Sequence, residues 1–427
     1  MRIIEEIKEL GARLGHEKDL VTERVSDLVV HLAQSEANET FAIMRRLDPI
    51  VRAGPTTIVA LDEDVMEVLG DPARFTTQVY ASKLEAVTGP FMLGIDDPAR
   101  HEHDRAAMER AVTREDFPRL ASATYATARR AVAEPRFGRE IDVVAQLADP
   151  ALDRVVSDYV GTPSPDTATG LRWARSIFQE VFVNVGNLPS VRDRALADAA
   201  LWRVHLDALI DARRACLRAG DDLPDDVLTR LLRLEDDGDE PSLHDTAIRH
   251  SLLGAVMAWI PATSSTFALI VEELLHREDE LAGAQEAARA DDRERLAAYC
   301  WEAARFRPQN VALLRHVAHD TTIAAGTERE TAVAAGSTVI ASTLSAMHDP
   351  AAVDEPEQFR LDRPASDRRL FGHGLHACFG EPIARAQIPA LAASLLEGPR
   401  IRRARGDQGR LRFTGPFPSN LTVQFDD

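Results

Sequence analysis

The run Phe371-Gly-His-Gly-Leu-His-Ala-Cys-Phe-Gly380, continued by Glu-Pro-Ile-Ala-Arg-Ala-Gln387, crowds three glycines around one cysteine just ahead of a helical pattern. Glycine permits positive φ and close backbone approach, and a helix N-terminus favours a thiolate over a thiol. Such a segment can hold a sulfur anion against something flat and large. The bland alternative is an ordinary buried thiol in a tight turn, and the rest of the chain has to decide between them.

The chain has 427 residues with no low-complexity linker, which suggests one large, lobed unit. Apolar residues make up 45% and charged residues 28%, a globular composition with ample core material. A net charge of −19 argues against general attraction to phosphate backbones or anionic lipid, so no nucleic-acid partner is expected. Cys216, Cys300 and Cys378 are odd in number and scattered. They read as a cytoplasmic protein rather than a disulfide framework. The N-terminus carries no apolar core with a cleavage site, and nowhere do about 18 to 20 apolar residues run uninterrupted, so no membrane anchor is expected.

Ile3, Ile7, Leu10 and Leu14, then Val21, Val25, Leu28 and Leu32, recur at helical spacing. They predict an N-terminal helical extension over residues 1–35 ahead of a single domain over 36–427. TTIVALDEDVMEVL (56–69) reads as strand then helix, helical patterns dominate from Asp97 to Arg307, and strand signals return in VALLRHVAHDTTIAA (311–325), STVIASTLSAM (337–347) and LTVQF (421–425). The fold class is therefore mainly α with small β-sheets, α+β. LEDDGDEPSLHD (234–245) reads as a solvated acidic loop. Asp97 and Pro98 form a helix start, after which His101 and Arg105 fall four apart on one face. Glu302 and Arg305 can pair one helical turn apart, and Pro356-Glu-Gln-Phe359-Arg-Leu-Asp-Arg363 follows.

Together these motifs resemble the cytochrome P450 family: the cysteine loop with its six fixed positions in ten residues, the ExxR helix, the PxxFxxxR meander and the HxxxR helix. The resemblance spans roughly residues 40 to 427. It implies a triangular prism of helices that encloses haem b (iron protoporphyrin IX) between a long distal helix and the proximal helix after the cysteine loop. It makes Cys378 the axial iron ligand, with Phe371, Gly372 and Gly380 around it. It assigns His101, Arg105, Arg315 and His376 to the haem propionates, and Glu302, Arg305 and Arg363 to a buried network behind the haem.

The family's distal helix usually centres on Ala/Gly-Gly-x-Asp/Glu-Thr, an acid beside an alcohol that delivers protons to iron-bound oxygen. Here WIPATSST (259–266) occupies that place. Laying it on the pattern puts Pro261 at the second small position, Thr263 at the acid and Ser264 at the alcohol, while a slip of one promotes Ser265. No nearby register supplies the acid. Pro261 cannot donate to the Met257 carbonyl and predicts a kink, and hydroxyls at 263–266 cover more than half the helix circumference, some bonding back to the helix. A hydroxyl can relay a proton but cannot store one near neutral pH, so Thr263→Asp is expected to improve coupling of reductant to product.

By resemblance the substrate lid comes from residues 78–93, 178–190, 310–314 and 415–420, and pocket candidates are Phe91, Phe178, Phe182, Pro261, Ala262, Val311, Leu313 and Phe417. The implied activity is a monooxygenase acting on a small or medium organic molecule, free or carrier-protein-bound, in natural-product tailoring. The implied electron donors are a ferredoxin and a ferredoxin reductase, docking on a local basic patch for which Arg100, Arg110, Arg368 and Arg369 are candidates. The missing acid keeps a peroxide-dependent peroxygenase, a haem-thiolate isomerase or dehydratase, and a non-catalytic haem sensor as alternatives.

Overall fold

In the computed structural model, which describes residues 37–133, 139–236 and 243–426, helices dominate and the short strands gather at the edges. The two helices expected before residue 36 lie outside the described residues, as does the centre of the acidic loop. Chain order begins with α1 (Ala37–Leu47), the hairpin β1 (Ile50–Ala53) and β2 (Thr56–Val59), α2 (Asp62–Gly70), β3 (Phe75–Thr76) and α3 (Gln78–Val87). Then come α4 (Pro98–Ala111), α5 (Phe117–Val132) and β4 (Glu140–Asp142), followed by α6 (Asp149–Val160) and α7 (Thr167–Phe178). A wider π-turn (Gln179–Val183) ends α7.

The long helices follow: α8 (Pro189–Ala219), α9 (Val227–Asp236), α10 (Asp245–Leu275), α11 (Glu278–Arg289) and α12 (Arg293–Phe306). After them come β5 (Leu313–Val317), β6 (Thr321–Ile323), β7 (Thr331–Val333), β8 (Thr338–Ala341), α13 (Thr343–Ala346) and α14 (Glu381–Leu396). The chain closes with β9 (Ile401–Arg403), β10 (Arg412–Thr414), β11 (Phe417–Asn420) and β12 (Thr422–Phe425). The largest sheet runs β1-β2-β8-β5-β3 and is antiparallel except for the β2–β8 pair.

Local chemistry explains the starts that matter. Asp97 caps α4 by accepting from the Arg100 N–H at 2.8 Å, and Pro98 occupies the first turn, where its missing N–H costs nothing. Pro382 does the same in the first turn of α14. The main core surrounds α10, whose Leu253, Met257, Phe267 and Ile270 are sealed from solvent beside α14's Leu391 and Leu395. By length and composition α10 could cross a bilayer, but 72% of its most apolar stretch is buried inside the fold, which marks a core helix. α10 runs as one helix through Pro261.

Candidate haem-thiolate site

The cysteine loop folds because two of its glycines adopt conformations other residues resist. Gly372 and Gly374 have φ of 72° and 73°, and a Cβ on Gly374 would lie 2.8 Å from the Leu69 carbonyl oxygen at the end of α2. The Cys378 N–H donates to the Phe371 carbonyl at 2.9 Å and closes the loop. Gly380 has an ordinary negative φ, and a Cβ there would make only van der Waals contact, at 3.7 Å, with Cys378 Sγ. The protein alone therefore does not require this glycine.

Cys378 is exposed, yet what it faces is an internal cavity of about 290 Å³ rather than bulk solvent. Burial pushes its thiol above the ordinary value, so the helix N-terminus does not by itself produce the expected thiolate. A metal ion at Sγ would reverse this, since a coordinating thiol is deprotonated outright.

Phe371, Gly372, His376 and Gly380 line the same cavity, as do His101 and Arg105 from α4. Arg105 donates to the Ala377 carbonyl at 3.1 Å and pairs with Glu109 at 2.9 Å. His376 Nε2 meets Asp96 Oδ1 at 3.0 Å, while its buried Nδ1 has no partner among the described residues. Burial works against the Asp96 charge, but hydrogen bonds from His376 and Thr77 outweigh it and hold the carboxyl below the usual range. His101 stands edge-on to His376 with centroids 5.1 Å apart, and burial, then the neighbouring His376 and Arg105, lower its pKa to about 4. Arg315 is buried on β5 behind this wall, outside the cavity lining, and among the described residues its guanidinium donates only to the Leu314 carbonyl at 2.9 Å. An orphaned imidazole nitrogen, a neutral histidine and the Arg105 guanidinium meet in the cavity wall, a donor set that fits the acidic edge of a porphyrin.

Behind the loop, Glu302, Arg305 and Arg363 form the expected network. Arg305 reaches Glu302 at 2.8 Å and Arg363 reaches it at 2.9 Å, with the Glu302 and Arg305 side chains sealed from solvent. Arg368 joins from the side, its Nη2 3.8 Å from the other Glu302 oxygen. It is therefore an interior residue and not part of a docking face, and Arg369 is tied to Asp62 at 2.9 Å. Arg100 and Arg110 are exposed on α4.

The distal wall differs from the sequence reading. Ala255, Ala258, Trp259, Ala262, Thr263 and Thr266 face the cavity, one stripe at helical spacing. Thr263 has no hydrogen-bond partner among the described residues, so its hydroxyl is available to the cavity. Ser264 points away and donates to Asp149 at 2.6 Å, and neither Ser265 nor Pro261 lines the cavity. The assignment of Ser264 and Ser265 to the distal face, and of Pro261 to the pocket, is corrected accordingly: successive helical residues turn about 100°, so four hydroxyls in a row cannot share a face.

Phe91, Phe178, Phe182, Ala262 and Leu313 line the cavity as expected. Val311 and Phe417 line instead a neighbouring chamber of about 70 Å³ that shares Phe178 and Phe182 with the first. The lid is tied together by Lys83 of α3, which donates to the carbonyls of Glu180 and Asn184. Trp259 was missed by the sequence reading. Its indole donates to Gln387 of α14 at 2.6 Å, and Gln387 in turn donates to Thr124 at 3.1 Å.

The family model for Cytochrome P450 matches residues 186–410, more than half of the chain. The chain belongs to the cytochrome P450 family. It is a P450 monooxygenase, and haem is the cofactor the family implies. The cyclomarin C epoxidase CymV of Salinispora arenicola is 28% identical over 355 residues, covering 81% of this chain and 84% of that protein. The mycinamicin IV hydroxylase/epoxidase of Micromonospora griseorubida is 27% identical over 371 residues, covering 83% and 86%. Among solved structures, P450BioI in complex with a hexadec-9Z-enoic acid ligated acyl carrier protein aligns with a TM-score of 0.76 at 20% identity, over 92% of this chain and 99% of that one. This likeness shows the P450 fold, helical with small sheets.

Proposed function

We propose that this P450 inserts one oxygen atom from dioxygen into an apolar, medium-sized natural product, by hydroxylation or epoxidation. The observation that carries the reading is the single cavity that joins Cys378 Sγ to the aromatic lid of Phe91, Phe178 and Phe182 past Ala258, Ala262 and Thr263. In this reading Cys378 ligates the haem iron, while His101, Arg105 and His376, with Arg315 behind them, hold the propionates. The haem supplies the oxygen chemistry when bound. The chain's own side chains exclude water, orient the substrate and present the Thr263 hydroxyl to the reacting site.

The cavity-facing stripe favours a different register from the first reading. A small residue and, four later, the alcohol position both meet the cavity when they are Ala258 and Ala262, which puts Pro261 at the acid position. The helix then carries neither the acid nor the alcohol at the usual places. Residues 36–427 act as one catalytic domain in the cytoplasm. Electrons come from a ferredoxin and its reductase, docked near Arg100 and Arg110. The substrate is a free natural product, the class named for the cyclomarin C and mycinamicin IV relatives, or is borne on a carrier protein, as in the P450BioI complex.

Optical titration of the ferric protein against cyclomarin C, mycinamicin IV and a fatty acid ligated to acyl carrier protein tests this reading. A spectral shift with one class, followed by hydroxylated or epoxidised product with dioxygen, ferredoxin and reductase, supports it. Turnover with hydrogen peroxide but not dioxygen would replace it with a peroxygenase, turnover with neither oxidant nor reductant with an isomerase or dehydratase, and binding without turnover with a sensor.

A further inference from the structure

The distal helix lacks an acid, yet a carboxylate stands directly behind it. Asp149, the first residue of α6, is 4% exposed, and its Oδ1 accepts from the Ser264 hydroxyl at 2.6 Å. Arg175 of α7 contacts both carboxylate oxygens through one nitrogen, Nη2, at 2.9 and 2.7 Å, and its Nε has no partner among the described residues. That is weaker than a two-nitrogen fork. The Arg175 side chain is 25% exposed, so the cluster reaches solvent on one side. On the other side Ser264 is followed back along the chain by Thr263, whose hydroxyl opens on the cavity. Pro261, one turn away, has no N–H to offer the Met257 carbonyl, which leaves an acceptor in the helix for a bridging water.

We propose that Asp149, acting through the Ser264 hydroxyl, is the proton reservoir of the distal site and replaces the acid that α10 lacks. The inference rests on the monooxygenase reading above. Each turnover takes up two protons and two electrons with one dioxygen and leaves one water beside the product. In each transfer the Ser264 hydroxyl turns from donating to Asp149 to accepting its carboxylic proton, while its own proton passes to a water that bridges Ser264 to the Thr263 hydroxyl on the cavity side. Asp149 is left as a carboxylate beside Arg175 and regains a proton from solvent at the exposed edge of Arg175. The charged groups facing Asp149 are Arg175 and, farther off, Asp142. Burial raises the Asp149 pKa and outweighs the opposing pull of Arg175, the direction a reservoir requires.

The test uses haem-loaded wild type, Asp149→Asn and Ser264→Ala. With dioxygen and reductant, both variants are expected to lose about tenfold or more of product formed per reductant consumed. With hydrogen peroxide, which carries its own protons, both stay within about twofold of wild type. Wild-type coupling falls as pH rises through the Asp149 pKa, and this dependence vanishes in Asp149→Asn. Thr263→Asp, which places an acid on the cavity side, restores coupling to Asp149→Asn. Independently of turnover, infrared spectra of the ferric protein show a deuterium-sensitive carboxylic C=O band that Asp149→Asn removes and Ser264→Ala keeps.

Unchanged coupling, equal losses with both oxidants, or no such band in wild type would make the cluster a structural tie between α6, α7 and α10. If Asp149→Asn does not fold, Ser264→Ala decides by the same split between oxidants. If wild type turns over nothing, the monooxygenase reading fails while the infrared band still reports on Asp149.

Discussion

Replacing Arg363 by Met removes one partner of a fully buried carboxylate while keeping most of the side-chain volume. Glu302 Oε1 accepts from Arg305 at 3.1 and 2.8 Å, from Arg363 at 2.9 Å and from the Arg360 N–H at 3.2 Å, and Oε2 has no hydrogen bond. Arg363 also donates to the carbonyls of Asp354, Glu355 and Gln358 at 2.6, 2.6 and 2.9 Å. Breaking a buried pair from one side costs about 3 to 5 kcal/mol. The lower end applies if Arg368, 3.8 Å from Oε2, swings in to compensate. An unfolding entropy of roughly 2.1 cal/mol/K per residue gives about 0.9 kcal/mol/K for 427 residues. The expected fall in melting temperature is therefore about 3 to 6 °C. Calorimetry of the haem-loaded protein reads it directly, with haem retention as a second signal because the meander holds the cysteine loop. A fall below about 1 °C would refute the claim that Arg363 compensates the buried Glu302 charge.

Other positions give independent tests. A Cβ at Gly254 would lie 2.4 Å from the Phe91 ring, so Gly254→Ala displaces the lid. At 1 to 3 kcal/mol for such overpacking, ligand affinity in the optical titration should weaken about tenfold, and unchanged affinity would show that Phe91 moves freely. Phe178→Ala joins the two chambers, so longer apolar ligands should gain affinity relative to short ones while stability drops by about 3 to 5 kcal/mol; an unaltered ligand ranking would show that the chambers do not communicate. His348, whose Nδ1 meets the Leu344 carbonyl at 3.0 Å, is held neutral, its pKa lowered to about 3 by burial and then by Arg305. The unfolded chain takes up that proton below its ordinary value near 6.5, so this contribution to stability is complete above about pH 6.5 and declines toward pH 3. The melting-temperature gap between wild type and His348→Gln should narrow between pH 7 and pH 4, and a constant gap would show that His348 is not buried neutral.

The proximal half of the site was legible because its chemistry is local in sequence. The cysteine loop, the Glu302–Arg305 turn and the His101–Arg105 turn each need residues only a few positions apart, so spacing put each set on one loop or one helical face, and the family resemblance of the motifs together gave them their roles. Arg368 defeated the same method. Nothing in its neighbourhood says that a surface-type residue packs against Glu302, 66 positions earlier in the chain. The division of the lid residues between two chambers, with Val311 and Phe417 in the smaller, likewise depends on how β5 and β11 meet the end of α7.

The distal helix shows where reading by period stops. An amphipathic helix reveals its orientation because its polar stripe points to water, but α10 is buried around most of its circumference and has no such stripe. Its sequence therefore fixes that it is a helix and leaves its rotation open. Contact supplies the missing phase: Ser264 turns toward Asp149, 115 positions away, and that rotation brings Thr263 and Ala262 to the cavity. Alone, the quartet of hydroxyls looks like a replacement for an acid–alcohol pair. Once its phase is set, Thr263 and Thr266 face the cavity while Ser264 reaches backward to a carboxylate. The acid absent from the helix is then sought behind it, where Asp149 is buried enough to bind a proton and close enough to pass it on.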